Sequence, residues 1–366
     1  MAQKSIVGRA STFFNSYFFA RANLLNIGLL RIILVLLAAD NIFSRLSPFK
    51  DPALTELHHR SLLTDFLAEI IYFNVNPQLL TIIFAASAIG ALLGILTRPS
   101  LLVFGLFIIY LSGFKTSLGV FDHSNSLVSQ IILILAFIPG STNLSVDRLI
   151  QWLRKRRKGE ISSVWVMLSN PLDQIWGVRL LLILLACVYF TAGLSKVRYG
   201  GLDWLDGKTL THYLDGSAAS SKDFDPPIYL SSSKVSHAEK WKDGFGLYAY
   251  SYGNRQGNLF AVNSGKLIAG IPAVIISLSV LTVLFELSSF CLLLGRWPRN
   301  LYLFGAIFLH TSIGFFMALT FIQFRIICFL LIDWQWLSGQ LSQSLKKKVP
   351  GMRKEFKAAD RLQPAD

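Results

Sequence analysis

Long apolar runs alternate with short polar segments along the chain, and this pattern predicts a bundle of membrane-spanning helices. Each run is close to the roughly 20 residues that a helix needs to cross a bilayer core. The last two runs are continuous, and "GFFMALT" is the predicted turn between them. The fold class is therefore an all-α polytopic membrane protein with about eight transmembrane helices. We predict these spans at residues 23–44, 77–97, 99–114, 124–141, 174–195, 267–294, 299–317 and 318–337.

The polar segments predict the orientation of this bundle. With the N-terminus in the cytoplasm, every short basic segment, including "RKRRK", falls on the cytoplasmic side, as the positive-inside rule requires. More than half of the 35 Lys and Arg residues then lie inside, and both termini are cytoplasmic. We divide the chain into a transmembrane domain, 1–340, and a basic cytoplasmic tail, 341–366. The predicted non-cytoplasmic loops are 45–76, 115–123 and the long polar loop 196–266.

Composition supports a membrane environment and argues against several other classes of protein. Hydrophobic residues make up 53% of the chain and charged residues 15%, against roughly 25% charged in soluble domains. The net charge of +14 lies mostly in loops between spans, so we attribute it to topology and predict no nucleic-acid partner. Residues 1–21 lack the regions of a cleavable signal peptide, and we expect them to lie at the membrane interface. We expect a bacterial inner (plasma) membrane.

The sequence lacks the short motifs that are typical of several common enzyme classes. There is no Walker motif, dinucleotide fingerprint or metalloprotease helix motif. Cys187, Cys291 and Cys328 all fall inside apolar runs, and we interpret them as small buried hydrophobic residues. We therefore predict neither a disulfide framework nor a metal site.

Six ionisable residues inside predicted spans are candidates for a functional role, because a charge in the hydrocarbon costs several kcal/mol and often marks function. Arg31 and Asp40 are too far apart on one helix to pair with each other, and Arg31 with Glu286 is a candidate structural ion pair. His310 has two open interpretations, a hydrogen-bonding residue between helices or a proton-handling group. The six candidates are Arg31, Asp40, Arg179, Glu286, His310 and Arg325.

Another polar group is predicted to converge at the non-cytoplasmic face. Lys196 ends the fifth span, Asp122 and His123 precede the fourth, and His310 lies in the outward half of the seventh. Asp122 is equally a helix N-cap, and Lys196 is equally an interfacial lysine whose side chain reaches the headgroups. In apolar surroundings the neutral amine of Lys196 would be favoured, and a neutral amine is a competent general base.

Four segments occur in an order that resembles a known membrane family. They are "GLLRIILVLLAAD" (28–40), "FKTS…DHSNSLVSQIILILAF…LSVDRLI" (114–150), "VYFTAGLSKVRYGGLDWLDGKTL" (188–210) and "FELSSFCLLL…LFGAIFLHTSIGFF" (285–316). The pattern resembles the HTTM (horizontally transferred transmembrane) superfamily, which includes the vitamin K-dependent gamma-carboxylases. The resemblance covers about residues 25–325 and implies a bundle of the gamma-carboxylase type.

The resemblance implies a chemistry as well as a fold. In the carboxylases a lysine ending the same phrase deprotonates vitamin K hydroquinone, and oxygen addition yields an alkoxide that removes the gamma proton of a glutamate before carbon dioxide adds. By position, Lys196 would be the base, His123 would hold or polarise the quinone, and His310 matches a histidine of a late span. These three are the predicted catalytic residues. Glu286 and Arg31 also match and are interpreted as structural. The implied cofactor is a reduced quinone of the vitamin K or menaquinone type.

The chain also departs from the carboxylases. Ser195 stands where the carboxylase phrase carries a second lysine, and only about 30 residues follow the last predicted span, where the carboxylases have a large lumenal region. Three functions stay open: a quinone-linked, oxygen-dependent modifying enzyme with carboxylase- or epoxidase-like activity; a factor for maturation or export of a secreted peptide; or a non-catalytic protein that binds lipid or a small molecule. The predicted partners are membrane lipid and a peptide or protein substrate on the non-cytoplasmic side.

Overall fold

The computed structural model describes residues 6–43, 76–117, 123–160, 172–214, 259–317 and 321–348, most of which are helical. The described strands are β1 (Arg21–Asn23) and β2 (Leu172–Gln174), which pair antiparallel. A π-helical turn covers Lys196–Gly200, and 3-10 turns cover Asp203–Asp206 and Ser288–Leu293. The described α-helices are α1 (Ile6–Phe18), α2 (Leu25–Phe43), α3 (Pro77–Leu93), α4 (Thr97–Ser117), α5 (His123–Leu135), α6 (Val146–Arg157), α7 (Trp176–Ser195), α8 (Lys208–Leu214), α9 (Leu259–Ala269), α10 (Pro272–Leu287), α11 (Arg296–Met317), α12 (Ile322–Leu331) and α13 (Trp334–Lys348).

A helix occupies the middle of each predicted span. Among the described residues, three helical segments are long and apolar enough to cross a membrane: Trp176–Gly200, Pro272–Leu293 and Arg296–Met317. The others are shorter, and α12 rises only about 15 Å, half the thickness of the hydrocarbon core. The last apolar run contains two helices, because α11 ends at Met317 and α12 begins at Ile322, whereas its division into two membrane spans stays a prediction. The described part of the chain is thus a mainly helical protein with candidate membrane spans.

Local signals explain where several helices begin and end. Asn76 caps α3 by accepting a hydrogen bond from the Gln78 N–H at 2.8 Å, and Pro77 fits the first helical position. The helix ends at Gly94, whose φ of +68° is the left-handed conformation that favours glycine. Ser145 caps α6, with its hydroxyl 3.0 Å from the Arg148 N–H. Basic residues fill the last turn of α6, where they complement the helix dipole.

Apolar side chains lie on both the inside and the outside of the bundle. The inside is one continuous cluster, to which α2, α3, α4, α5, α7, α11 and α12 all contribute buried residues, including Phe84 and Phe104. Large apolar side chains also project outward, among them Ile82, Leu301 and Phe308. Soluble proteins rarely expose apolar surface on this scale, and lipid is the solvent that would cover it.

The cysteine interpretation is wrong for Cys187 and only partly right for Cys291. Cys328 is buried, whereas Cys187 is exposed on α7 and Cys291 is partly exposed. An apolar run has the same composition on its outward and inward faces, so composition alone could not separate these positions. Asp40 is likewise exposed on α2 rather than buried beside a partner.

Several features were not predicted from the apolar pattern. Arg21 pairs with Gln174 and Asn23 with Leu172. Strand β1 directly precedes α2 and β2 directly precedes α7, so this pairing brings the starts of the two helices together. Residues 259–269, the end of the predicted loop and the start of the predicted sixth span, form α9, which ends before α10 begins at Pro272. Helix α13 continues across the domain boundary predicted at residue 340.

Candidate functional site

Lys196 lies where the α7 helix changes its winding. The α-helical part ends at Ser195, and Lys196–Gly200 forms a π-helical turn. Such turns are rare and occur frequently at functional sites. The turn ends at Gly201, whose φ of +55° a side chain would disfavour. The "SKVRYGG" phrase therefore widens the helix at the point where the lysine side chain leaves it.

Glu286 of α10 is the partner of Lys196. The Lys196 Nζ atom donates to both carboxylate oxygens of Glu286 at 2.7 Å. The lysine side chain is 24% exposed and the glutamate 11%, so the pair is mostly shielded but is open on one side. The ammonium also lies 5.3 Å from the centre of the Trp204 ring, within the range of a cation–π contact. A carboxylate and an aromatic face thus position the lysine together.

Gly193 allows the two helices to bring this pair together. It lies on α7 one turn before Lys196 and is buried against α10. A Cβ atom at Gly193 would lie 2.9 Å from the Cβ of Glu286 and 3.1 Å from the backbone nitrogen of Leu287. Contacts this short are not tolerated without displacement of α10. The close approach of the helices at Glu286 therefore depends on glycine at this position.

A second polar contact lies deeper in the bundle, on the same face of α7. Tyr189 precedes Lys196 by two helical turns, about 10 Å along the axis. Its hydroxyl lies 2.6 Å from Nε2 of His310 on α11 and 3.9 Å from Sγ of Cys328 on α12. All three side chains are buried. Tyr189, Gly193 and Lys196 thus form a stripe along α7 that contacts three other helices.

Aromatic rings enclose the Tyr189–His310 contact. Phe285, the neighbour of Glu286, stacks on Tyr302 with ring centres 4.4 Å apart and an interplanar angle of 10°. Tyr302 also meets Tyr189 edge-on at 5.6 Å. Phe321 and Phe324 each lie 5.0 Å from the His310 ring. We call these five aromatic residues and His310 the aromatic box.

Two polar atoms of the aromatic box are buried without a hydrogen-bond partner among the described residues. They are the hydroxyl of Tyr302 and Nδ1 of His310. A buried polar group without a partner is uncommon in proteins and calls for an explanation such as a bound ligand. Both atoms lie among flat apolar rings. A bound polar group would satisfy these two atoms, while the ring faces of Phe285 and Tyr302 already pack against each other.

The structure brings together some predicted site residues and not others. Lys196 is one end of the α7 stripe, and His310 contacts Tyr189 at the other end, so the stripe joins the two predicted residues without direct contact between them. His123 is the first residue of α5, and only its backbone is described. Asp122 lies outside the described residues. The stripe itself was missed, although its spacing of four and then three residues can be recognised in the sequence as one helix face.

The predicted Arg31–Glu286 ion pair is wrong. Arg31 is fully buried and donates instead to the backbone carbonyls of Ser141 at 2.7 Å and Leu144 at 2.8 Å. A sequence shows which residues are acidic, but it does not show which backbone carbonyls a turn leaves free to accept from Arg31. The structural role expected for Arg31 therefore agrees with its contacts, but the role of Glu286 changes.

Asp147 fastens the same turn to the start of α4. It accepts hydrogen bonds from the Leu96 N–H at 3.0 Å, the Thr97 N–H at 2.7 Å and the Thr97 hydroxyl at 2.8 Å. Partial burial by itself raises the pKa of Asp147, but these hydrogen bonds and the charge of Arg31 outweigh it. The pKa of Asp147 therefore lies below its ordinary value. Ser145 and Asp147 of the "SVD" segment therefore have structural roles, as hydrogen-bond acceptors from backbone N–H groups.

Comparisons with known proteins give no independent identification. No protein-family model, no curated protein and no solved structure matches this chain. Within the described ranges, no group of three His, Cys, Asp or Glu side chains is placed to hold a metal ion. The resemblance to the HTTM superfamily stays a prediction. The geometry of the site is the remaining evidence for function.

Proposed function

We propose that this protein is a multi-pass membrane enzyme in which the Lys196–Glu286 pair accepts a proton from a lipid-soluble quinol. The observation that carries the proposal is the bidentate contact of Lys196 with Glu286 at the end of an apolar helix. A shielded ion pair is a weak way to gain stability, because desolvation of both charges offsets their attraction. Its placement beside a partly open surface and a polar stripe is better accounted for by chemistry.

The two side chains act as a unit in this proposal. The carboxylate of Glu286 is the group of the pair that can take a further proton. Glu286 would accept a proton from a bound quinol, and the ammonium of Lys196 would remain at the site to stabilise negative charge there. This differs from the role implied by the family resemblance, in which Lys196 alone is the base. Trp204 and the π-helical turn keep the ammonium in place.

Two polar atoms of the aromatic box would bind the oxygens of a quinol. They are the unpartnered hydroxyl of Tyr302 and Nδ1 of His310. Tyr189 would orient His310 through Nε2. When bound, a reduced quinone of the vitamin K or menaquinone type supplies electrons to molecular oxygen, and the oxygenated product drives carboxylation or a related modification of a peptide or protein substrate.

The membrane arrangement is part of the proposal. We place eight spans with both termini in the cytoplasm, in a bacterial inner membrane, so that Lys196 lies at the non-cytoplasmic end of its span. The helix in the middle of each predicted span and the basic character of the predicted inner segments support this arrangement. His123 is proposed to lie at the same end, at the start of α5.

Quinol-dependent oxygen consumption by the full-length protein in lipid nanodiscs tests this function. We expect turnover with reduced menaquinone, and a loss of about 100-fold or more in Lys196→Met and Glu286→Gln, the usual scale for a missing general base. The control is Lys208→Met, which removes an exposed lysine from a 2.8 Å ion pair with Asp206 and should leave the rate unchanged.

Two outcomes contradict the proposal. One is a Glu286→Gln protein that consumes oxygen as fast as the unchanged protein. The other is a folded, unchanged protein that shows no quinol-dependent turnover in the presence of candidate peptide substrates. The second outcome would favour a role in peptide maturation or a non-catalytic binding function.

A further inference from the structure

We propose that three arginines at the other end of the bundle bind the phosphate of an anionic phospholipid. The arginine cluster consists of Arg179 on α7 and of Arg296 and Arg299 in the first turn of α11. Arg179 lies near the start of α7 and Lys196 follows its end, roughly 25 Å away along the axis. The arginine cluster is therefore separate from the proposed proton-accepting pair, and the two proposals fail independently.

Positive charge exceeds negative charge in the arginine cluster. Asp333 accepts from Nη2 of Arg299 at 3.1 Å, and the same oxygen lies 3.5 Å from Nε of Arg296. Its other oxygen accepts from the backbone N–H of Trp336 at the start of α13. Arg179 is joined to the start of α11 through Tyr17, whose ring it contacts and whose hydroxyl donates to the Leu293 carbonyl. Within the described part of the chain, the ion pairs of the cluster join one carboxylate to Arg296 and Arg299, and no carboxylate is paired with Arg179.

The cluster and the neighbouring Asn300 hold buried hydrogen-bond donors without partners among the described residues. They are Nη1 of Arg179, Nε of Arg299 and Nδ2 of Asn300. Arg299 is only 7% exposed and Asn300 only 1%. All three atoms are donors, so the group that would satisfy them is an acceptor. The oxygens of a phosphate accept several charge-assisted hydrogen bonds at once, and arginine is the side chain best suited to donate them.

Tyr17 of α1 holds Arg179 of the cluster in place. Nε of Arg179 donates to the Tyr17 carbonyl at 3.1 Å, and its guanidinium lies 4.0 Å from the centre of the Tyr17 ring. The Tyr17 hydroxyl donates to the carbonyl of Leu293, just before α11. The cluster therefore lies where α1 joins the first turns of α7 and α11. Helix N-termini favour anions because their N–H groups are unsatisfied and the helix dipole is positive there.

The depth of the cluster in the membrane favours a lipid over a soluble anion. Trp297 follows Arg296 directly and is 65% exposed, and Trp297 packs edge-on against Trp336 at 5.0 Å. Exposed tryptophans mark the level of the headgroups in membrane proteins. A phosphate at this level belongs to a phospholipid. The excess positive charge favours an anionic headgroup over phosphatidylcholine, whose ammonium group it would repel.

Native mass spectrometry of the full-length protein, titrated with defined lipids after release from detergent, tests this inference. Phosphatidylglycerol is the probe, and phosphatidylcholine, a neutral glycolipid and inorganic phosphate are the comparison arms. We expect Arg179→Gln to weaken phosphatidylglycerol binding about tenfold or more. The control is Arg156→Gln, which removes an arginine that also packs on an aromatic ring, Trp152 at 5.2 Å, but lies on α6.

Several results would overturn the proposal. Equal weakening by Arg156→Gln would reduce it to a general effect of charge, and equal binding of phosphatidylcholine would remove the preference for an anionic lipid. Inorganic phosphate that binds as tightly as the lipid would identify a site for a soluble phosphate. If Arg179→Gln does not fold, Arg296→Gln is tested instead, with the same expected loss of binding. The Arg296 side chain is 62% exposed, so its replacement should not disrupt packing.

A second variant separates a ligand site from a structural cluster. Asp333→Asn removes the negative charge from the cluster, so phosphatidylglycerol should stabilise this variant against heat more strongly than it stabilises the unchanged protein. A purely structural role predicts the same loss of stability with and without the lipid, and that result would contradict the proposal.

Discussion

Breaking the Lys196–Glu286 pair tests whether it exists for stability or for chemistry. Glu286→Leu leaves the lysine ammonium without its carboxylate, and Lys196→Met leaves the carboxylate without its ammonium. The double variant removes both charges and keeps most of the side-chain volume. The three variants and the unchanged protein form a double-mutant cycle, which isolates the coupling between the two side chains.

The solvent exposure of the two side chains determines how much unfolding free energy each variant should lose. Removing one partner of a buried ion pair costs about 3–5 kcal/mol, because the remaining charge stays desolvated. With side chains that are 24% and 11% exposed, water solvates the remaining charge in part, so we expect about 2–3 kcal/mol for each single variant. Apolar replacement of both partners is close to neutral, so the double variant should lie within about 1 kcal/mol of the unchanged protein.

Equilibrium unfolding in mixed micelles, followed by tryptophan fluorescence, measures these differences. Exchange of the Asp206–Lys208 pair, whose lysine side chain is 89% exposed, for apolar residues is the control and should produce a coupling of less than about 1 kcal/mol. Additive losses in the double variant would refute the account, because they would mean that the two charges do not compensate each other. A folded, stable double variant that has lost turnover would assign the pair to chemistry.

Three further predictions concern two contacts of the α7 stripe and the contacts of Asp147 at the start of α4. Gly193→Ala should destabilise the fold by about 1–3 kcal/mol and lower turnover, since its methyl group displaces Glu286; chemical unfolding and oxygen consumption measure the two effects. Tyr189→Phe should cost about 1–3 kcal/mol in unfolding free energy, because His310 loses its 2.6 Å partner, while Lys196 stays in place; an unchanged stability would contradict the contact. The lowered pKa of Asp147 gives stability that is complete above the ordinary carboxyl pKa and is lost as pH falls through the folded value. Asp147→Asn should therefore flatten the acid side of the stability curve, and an equally steep fall in the variant would refute this assignment.

The sequence predicts the helices much better than it predicts their partners. Apolar length alone locates a helix in each predicted span, because helix formation in lipid depends on local composition. The partner of Glu286 depends instead on which faces of two separate helices meet, and spacing within one helix does not determine this. For the same reason Arg31 was assigned a carboxylate, although its partners are carbonyls of a turn in which Leu144 has a φ of +53°.

The sequence does contain the signal for the α7 stripe. Tyr189, Gly193 and Lys196 are spaced as one helix face, and a glycine between two polar residues on an apolar helix indicates close packing of another helix at that point. The π-helical turn after Lys196 has no comparable signal, since nothing in "KVRYG" distinguishes it from a frayed helix end. The β1–β2 pair of three residues each is too short for a recognisable alternation.

The central claim is that Glu286, held by Lys196, takes a proton from a quinol. Anaerobic mixing of reduced menaquinone with the full-length protein tests it directly, because a quinolate absorbs at longer wavelength than a quinol and cannot react further without oxygen. The account predicts a quinolate band with the unchanged protein and none with Glu286→Gln. A band of equal size with both proteins, or with neither, would contradict it.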